Sequence, residues 1–241
     1  MTVEHTCTRL GELRLTGMLQ AFNQQQLSPA FSELAFADRL GHLLLAEQQY
    51  RDARTRERLM RRARFKHRAD PHDVRFGEGR GLERAYIAEL ITCEWVRRTD
   101  NLLLSGAAGT GKTWLGCALG TAAVELGLSV RYVRTNTTLE EMRLAHLDGS
   151  IAKLRSSLVS ADLLILDDFG IAPIPEQAKE DLLELLEGRI DQGATMVIGQ
   201  LDPGEWHGYL DSPHLADAIM DRVVQRAHRI ALKGGSMRER R

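Results

Sequence analysis

Hydrophobic positions follow two different patterns along this chain. In the C-terminal part, short apolar runs alternate with longer segments in which apolar residues recur at helical spacing. The apolar runs predict five strands, at residues 101–105, 128–133, 163–166, 194–198 and 227–232. Strands that alternate with helices predict a parallel sheet with helices on both faces. The pattern therefore indicates an α/β fold for this part of the chain.

The N-terminal part shows helical spacing without strand-like runs. Its apolar stripe near helical period consists of Leu34, Leu40, Leu43, Leu44 and Tyr50. The segment that follows is rich in Gly, Pro and charge, which is typical of a linker. With 241 residues, 43% of them hydrophobic, the chain can hold one α/β core and a smaller appendage. We therefore expect a small all-helical domain at 1–70, a linker at 71–81 and an α/β domain at 82–241.

Composition argues against several classes of protein. The net charge is −1, so the chain as a whole is not basic. No apolar run approaches the roughly 20 residues that span a bilayer, and the N-terminus lacks the apolar core of a signal peptide. Cys7, Cys93 and Cys117 are widely spaced and form no C-x-x-C pattern. We therefore expect a protein of the reducing cytoplasm that has no membrane partner.

Residues 106–113 read GAAGTGKT and fit the P-loop pattern G-x-x-x-x-G-K-[ST]. They lie between a predicted strand and an apolar helix, which is the context that the pattern requires. Loop amides and the positive helix end can hold a β-phosphate, Lys112 can reach the β- and γ-phosphates, and Thr113 can bind Mg²⁺. A chance glycine-rich turn is the alternative. The expected ATP-binding residues are Gly106, Ala107, Ala108, Gly109, Thr110, Gly111, Lys112, Thr113 and Trp114.

Two acidic residues follow the predicted strand at 163–166. Asp167 and Asp168 come at the carboxyl edge of the predicted sheet, where α/β proteins bind ligands. Asp167 is the expected Mg²⁺ ligand, in the role of the Walker B carboxylate, and Asp168 is the candidate to orient or deprotonate the attacking water. An acid that caps the following turn is the alternative. With the P-loop, the acidic pair predicts a P-loop NTPase fold and an ATPase that uses ATP and Mg²⁺.

A basic stretch lies at residues 51–68, which contain nine basic residues and only two acidic ones. Its candidate DNA-binding residues are Arg51, Arg54, Arg58, Arg61, Arg62, Arg64, Lys66 and Arg68. Arg51, Arg54, Arg58, Arg61 and Arg68 are expected near one helical face. Arginines on phosphates would bind duplex DNA largely independently of its sequence. A solvated helix face is the alternative.

Several segments outside these motifs carry a narrower signature. They include LRLTGM at 13–18, RRARF at 61–65, ADAI at 216–219, AHRI at 227–230 and KGGSMR at 233–238. With these segments the chain resembles the IstB-like ATPases, the transposition helpers of certain bacterial insertion sequences. That family belongs to the AAA+ class and is related to the DnaC-type helicase loaders. The resemblance extends almost from end to end.

The resemblance implies further residue roles and partners. Besides the catalytic Lys112 and Asp168, Arg222 matches the arginine finger that completes a neighbour's site, and Arg238 matches the sensor-2 arginine. Gln200 lies near the sensor-1 position. The resemblance also implies an ATP-dependent homo-oligomer on duplex DNA that passes this DNA to a transposase.

The chain also departs from the family pattern and leaves other functions open. Ala107 and Ala108 replace the usual Pro-Thr of the loop, and Gly199 stands where Ser or Thr is common.

A helicase loader would carry the same nucleotide motifs, and a transposase gene next door would favour the transposition helper. A metabolic P-loop kinase fits less well, because the helical N-terminus and the basic stretch suit DNA or protein partners better.

Overall fold

The computed structural model describes residues 2–77 and 79–237. The chain forms two compact units, one ending at Arg58 and the other beginning at Leu59. Among the residues that the structure describes, no helix is long and apolar enough to cross a membrane.

The first unit is helical, as the sequence predicts. It contains α1 (Val3–Glu12), α2 (Thr16–Leu27), a 3₁₀ turn (Pro29–Glu33) and most of α3 (Phe36–Ala63). Helices α2 and α3 pack closely at Gly17, where a Cβ atom would lie 2.5 Å from Ala46 O. The carboxylate of Glu47 accepts a hydrogen bond from Met18 N at 3.1 Å. This bond satisfies one of the amides that the first turn of a helix leaves unpaired.

In the part that the structure describes, the second unit is built on five parallel strands in the order β2-β3-β4-β1-β5. The strands are β1 (Asn101–Gly106), β2 (Val130–Arg134), β3 (Leu163–Phe169), β4 (Ala194–Gly199) and β5 (Ala227–Leu232). The helices before and between them are α4 (Arg84–Ile91), α5 (Glu94–Arg97), α6 (Lys112–Glu125), α7 (Thr135–Asp148), α8 (Ile151–Val159), α9 (Glu176–Glu187), α10 (Trp206–Leu210) and α11 (Pro213–Val224). The predicted α/β fold with a parallel sheet is confirmed.

Alternate residues of each strand enter one of two apolar cores, because side chains of a strand point to opposite faces. Leu102 and Leu104 pack with α4 and α6 on one face, whereas Leu103 packs with α7 to α11 on the other. The first core also contains Leu59 and Ala63 from the end of α3. The β1 strand is therefore covered on both faces, and the loop after it emerges at the carboxyl edge of the sheet.

The structure divides the chain earlier than the linker predicted at 71–81. The reason is burial, since Ala63, Ala69 and Val74 belong to the apolar core of the second unit. The short helix α10 was also not predicted. Its Gly- and Pro-containing surroundings are typical of a loop. Trp206 is nevertheless buried, and the centroid of its ring lies 4.5 Å from the centroid of the Phe169 ring.

Candidate nucleotide-binding site

The predicted P-loop connects β1 to α6 at the carboxyl edge of the sheet. Gly106 and Gly109 have φ angles of +134° and +84°, which residues with a Cβ atom rarely adopt. A Cβ atom on Gly106 would lie 2.2 Å from Leu232 O, and one on Gly109 would lie 2.4 Å from Ser236 Oγ. The loop therefore needs glycine for its conformation and for its close approach to β5 and the segment after it.

Lys112 is the first residue of α6, and its buried side chain turns back over the loop. Its Nζ donates to Gly106 O at 2.7 Å and to Ala107 O at 2.8 Å. Thr110 Oγ1 also donates to Ala107 O, at 2.9 Å. A 14-residue helix starts here, so its first amides and its dipole favour an anion at this point. The arrangement suits a phosphate group, with the ammonium of Lys112 within reach of it.

Thr113 and Asp167, the two residues expected to bind Mg²⁺, meet across the site. Thr113 Oγ1 donates to Asp167 Oδ1 at 3.2 Å, and Asp167 is only 1% exposed. Mg²⁺ binds to proteins through one or two such oxygens together with substrate phosphates. The donor set therefore fits Mg²⁺ bound beside a nucleotide.

Tyr132 is a site residue that the sequence motifs do not identify. Its hydroxyl donates to Asp167 Oδ2 at 2.5 Å, so both carboxylate oxygens of Asp167 have a defined partner. Burial, followed by this hydrogen bond, raises the pKa of Tyr132 above its ordinary value. Tyr132 therefore stays protonated and keeps the carboxylate oriented. Nothing in the local pattern of β2 marks this tyrosine, since its partner is 35 residues away.

Asp168 stands at an irregularity of β3. The register between β3 and β4 shifts between Leu166 and Phe169, and Asp168 has a φ angle of +61°. Its side chain is 32% exposed, and its Oδ2 atom lies 3.7 Å from Arg134 Nε and 3.8 Å from Lys66 Nζ. The carboxylate of Asp168 is therefore partly exposed to solvent, whereas that of its neighbour Asp167 is buried.

Arg80 also binds the P-loop, and it lies in the segment predicted to be a linker. Its Nη2 donates to Thr110 O at 2.9 Å, and its carbonyl oxygen accepts from Lys233 N at 3.0 Å. Met237 N donates to Gly109 O at 2.9 Å. Burial lowers the pKa of Arg80, with a smaller effect from Arg75. Segments from before β1 and after β5 thus hold the loop from outside.

Comparison with known proteins identifies the family of this chain. Residues 8–241 match the family of IstB-like ATP-binding proteins.

The chain belongs to this family.

Curated relatives agree with this assignment over most of their length. The insertion-sequence ATP-binding protein y4pL of Sinorhizobium fredii is 41% identical over 99% of this chain and 97% of its own length. The ATP-binding protein of insertion sequence IS1162 from Pseudomonas fluorescens is 42% identical over 83% of this chain and 87% of its own.

Solved structures share the fold of this chain over about two thirds of its length. The DnaI structure has a TM-score of 0.62 at 21% identity and covers 69% of this chain and 92% of its own. The DnaC helicase loader has a TM-score of 0.56 at 16% identity, covering 68% and 97%. The predicted α/β fold with a P-loop and the IstB-like resemblance are both confirmed.

The resemblance to the family implies roles for Gln200 and Arg238. Gln200 is exposed directly after β4, the strand between β1 and β3. Arg238 lies outside the described residues. The departure at Gly199 has a steric reason, because a Cβ atom there would lie 2.7 Å from Phe169 O. The close approach of β3 and β4 thus favours glycine at this position.

Arg222 lies at the opposite edge of the sheet. Its carbonyl oxygen accepts from Asn101 Nδ2 at 2.9 Å, and Asn101 is the first residue of β1. Because β1 has six residues, at about 3.3 Å per residue its two ends are about 17 Å apart. The guanidinium donates to Glu187 Oε1 at 2.9 Å. Arg222 is therefore separated from the P-loop of its own chain.

The eight basic residues proposed for DNA do not all lie in α3, and they are also divided between the two units. Arg51, Arg54 and Arg58 lie in the first unit, and the other five belong to the second. Arg68 was wrongly expected on the helical face, because α3 ends at Ala63, five positions earlier. Arg51 Nε pairs with Glu47 Oε1 at 2.7 Å, whereas Lys66 lies beside the acidic pair rather than with the arginines.

Proposed function

We propose that this protein is an ATPase that serves transposition by assembling on duplex DNA. In this proposal, ATP-bound subunits form a homo-oligomer on target DNA and pass the DNA to a transposase, and hydrolysis drives disassembly. The observation that carries the proposal is the P-loop with its Thr113–Asp167 pair, set in a chain that matches insertion-sequence ATP-binding proteins over nearly its full length. The three cysteines are free thiols, which agrees with the expected cytoplasmic location.

The chemistry follows from the positions of four side chains. Lys112 and the amides of the P-loop would hold the β- and γ-phosphates in place. Mg²⁺, held by Thr113 and Asp167, would neutralise charge on the phosphates. Asp168 follows Asp167 and is partly exposed, so it would be able to orient the attacking water or accept its proton.

Assembly is supported by the position of Arg222. A finger in the same chain would have to reach the carboxyl edge of the sheet, but Arg222 is anchored at the amino edge through Asn101. A neighbouring subunit can bring its own Arg222 to this site. The chemistry would then require at least two subunits, which explains why assembly and hydrolysis are coupled in this proposal.

DNA binding is supported by the exposed arginines of α3. Arg54, Arg58 and Arg61 recur at a spacing of three or four residues on this helix and are all exposed. Such spacing places them on one side of the helix. Their guanidinium groups can bind phosphates of a duplex without reading its sequence.

Replacing Arg54, Arg58 and Arg61 together by Gln should weaken duplex binding by a similar factor on unrelated sequences. If all three arginines bind phosphates, the slope of log K against log salt should fall by ~0.9 for each phosphate that the variant no longer neutralises. Fluorescence anisotropy with labelled duplexes over a range of salt concentrations measures both effects.

The matched control replaces Arg97, Arg98 and Arg143 by Gln. These exposed arginines lie outside α3, and their removal changes the net charge by the same amount. An equal decrease of the salt slope in the control, or an unchanged slope in the α3 variant, would show that α3 is not the DNA surface.

Asp168→Asn should abolish most hydrolysis while ATP binding and DNA assembly persist. The substitution leaves Thr113 and Asp167 in place, and Asn tolerates the positive φ angle at this position. General base catalysis contributes about 10²–10⁴ in rate, so the turnover number should fall within that range. Phosphate release and nucleotide titration separate the two effects. A variant that hydrolyses ATP at the wild-type rate would reduce Asp168 to a structural role.

A helicase loader is the second candidate, because the DnaC loader and DnaI share the fold. Both are only 16–21% identical to this chain, whereas the insertion-sequence proteins reach 41–42%. The sequence relationship therefore favours the transposition helper. Co-purification with a transposase of the insertion-sequence type, compared with co-purification with a replicative helicase, distinguishes the two candidates.

A further inference from the structure

One side chain connects the basic segment to the acidic pair of the nucleotide site. Lys66 follows α3, and its Nζ lies 4.0 Å from Asp167 Oδ2 and 3.8 Å from Asp168 Oδ2. The side chain is 27% exposed, so it reaches these carboxylates from the solvent side. The flanking residues Arg64 and Arg68 are exposed.

The backbone around Lys66 is held in place by the second unit. The ring of Phe65 fills the space above Gly120, where a Cβ atom would lie 2.5 Å from Phe65 Cε1. Arg131 Nη1 donates to the carbonyl oxygen of Arg62 at 3.2 Å. Packing on α6 and a bond from β2 therefore fix the point from which the Lys66 side chain extends, while its flexible four-carbon stem can change direction.

The ammonium of Lys66 and a Mg²⁺ ion would compete for the same carboxylate. Asp167 is the carboxylate that fits Mg²⁺, and Lys66 is the cation that lies near its Oδ2 atom. Two cations around one buried carboxylate repel each other, and the screening by water is weakest at buried groups. Binding of Mg²⁺ with a nucleotide therefore favours a Lys66 side chain that has turned away from Asp167.

We propose that Lys66 couples Mg²⁺–nucleotide binding to duplex DNA binding. Without Mg²⁺ the ammonium is held by Asp167 and Asp168, and with Mg²⁺ it is released towards Arg64 and Arg68, where it binds a DNA phosphate. This inference rests on the proposed function, because it assumes that the basic segment binds DNA. Coupling of this kind is reciprocal, so DNA must tighten Mg²⁺–nucleotide binding by the same factor as the nucleotide tightens DNA binding.

The first experiment tests the competition without DNA. Lys66→Met keeps a long side chain and removes the charge, and Arg68→Met is the control, since it removes a charge from the same segment. Binding of a fluorescent ATP analogue is titrated with Mg²⁺. For Lys66→Met, the Mg²⁺ concentration at half saturation should fall by about two- to five-fold, the range of a partly exposed ion pair. An unchanged Mg²⁺ requirement, or an equal change in Arg68→Met, would overturn the inference.

The second experiment measures the coupling itself. Duplex affinity is determined by anisotropy with and without Mg²⁺ and a non-hydrolysable ATP analogue. The coupling is the duplex association constant with Mg²⁺ and the analogue divided by the constant without them. This ratio should be above one for wild type, and Arg68→Met should show the same ratio at lower affinity. For Lys66→Met the ratio should be reduced by about two- to five-fold. Lys66→Arg should retain the coupling, and melting curves should confirm that all variants are folded.

The outcomes separate this inference from the proposed function. A Lys66→Met protein that keeps the wild-type ratio would disprove the coupling role, even if wild type binds DNA as proposed. A wild-type protein that binds no duplex would instead refute the proposed function, and with it the proposed binding of a DNA phosphate by Lys66. In that case the Mg²⁺ titration alone decides whether Lys66 competes with the metal ion.

Discussion

Two inactive variants, Lys112→Ala and Arg222→Ala, are expected to restore part of the ATPase activity when they are mixed. An Arg222→Ala subunit keeps its own Lys112 and Thr113 and can still bind ATP. A Lys112→Ala subunit cannot hold the phosphates but still offers an intact Arg222 to a neighbour. At interfaces that pair the intact P-loop with the intact arginine, hydrolysis should return. An arginine finger is worth about 10³–10⁵ in rate, so Arg222→Ala alone should lose that much.

The controls for this experiment follow from the ion pair of Arg222. In the structure its guanidinium pairs with Glu187 of the same chain at 2.9 Å, so a purely structural role is the competing explanation. Glu187→Gln removes this partner and leaves the arginine in place. If Arg222 acts in a neighbouring site, Glu187→Gln should remain active. If the pair matters only for stability, Glu187→Gln should lose as much activity as Arg222→Ala.

Co-assembly has to be verified in the same mixture by sedimentation. Phosphate release is then measured over a series of mixing ratios, with the highest activity expected at intermediate ratios. Mixed oligomers that form without recovering any hydrolysis would exclude Arg222 as a finger that acts in trans.

Lys112→Ala is also expected to remove most of the ATP affinity and all ATP-dependent assembly. Hydrogen bonds to charged groups contribute about 1.5–3 kcal/mol each, so removal of one such bond to the phosphates should weaken binding by about 10- to 150-fold. Isothermal titration calorimetry with Mg²⁺–ATP measures this change. Lys153→Ala, which removes an exposed lysine from α8, is the matched control and should bind as wild type.

A structural effect of Lys112→Ala can be distinguished from a direct effect on phosphate binding. The Nζ atom also donates to Gly106 O and Ala107 O, so its removal can loosen the loop. Melting curves without nucleotide measure that loosening. Tight, Mg²⁺-dependent ATP binding by a folded Lys112→Ala protein would contradict the assignment of the P-loop.

The sequence by itself determined the elements and the chemistry that depend on neighbouring residues. The five strands and the P-loop are local patterns, because apolar runs, glycines and the lysine all lie within a few positions of one another. Asp167 and Asp168 could be predicted for the same reason, since they directly follow an apolar strand at the edge where ligands bind. Family roles such as that of Arg222 came from segments that match a known pattern, not from local physics.

Only the tertiary structure decided which distant residues meet at this site. Tyr132 and Arg134 reach the acidic pair because β2 pairs with β3, with Arg134 in register with Asp167. Lys66 arrives there because Phe65 packs on Gly120, so a residue that composition assigns to a DNA surface lies beside the carboxylates of the nucleotide site. Arg222 is excluded from its own site because α11 ends at the amino edge of β1. These arrangements depend on strand order and packing between segments far apart in the chain, and no periodicity or local motif encodes them.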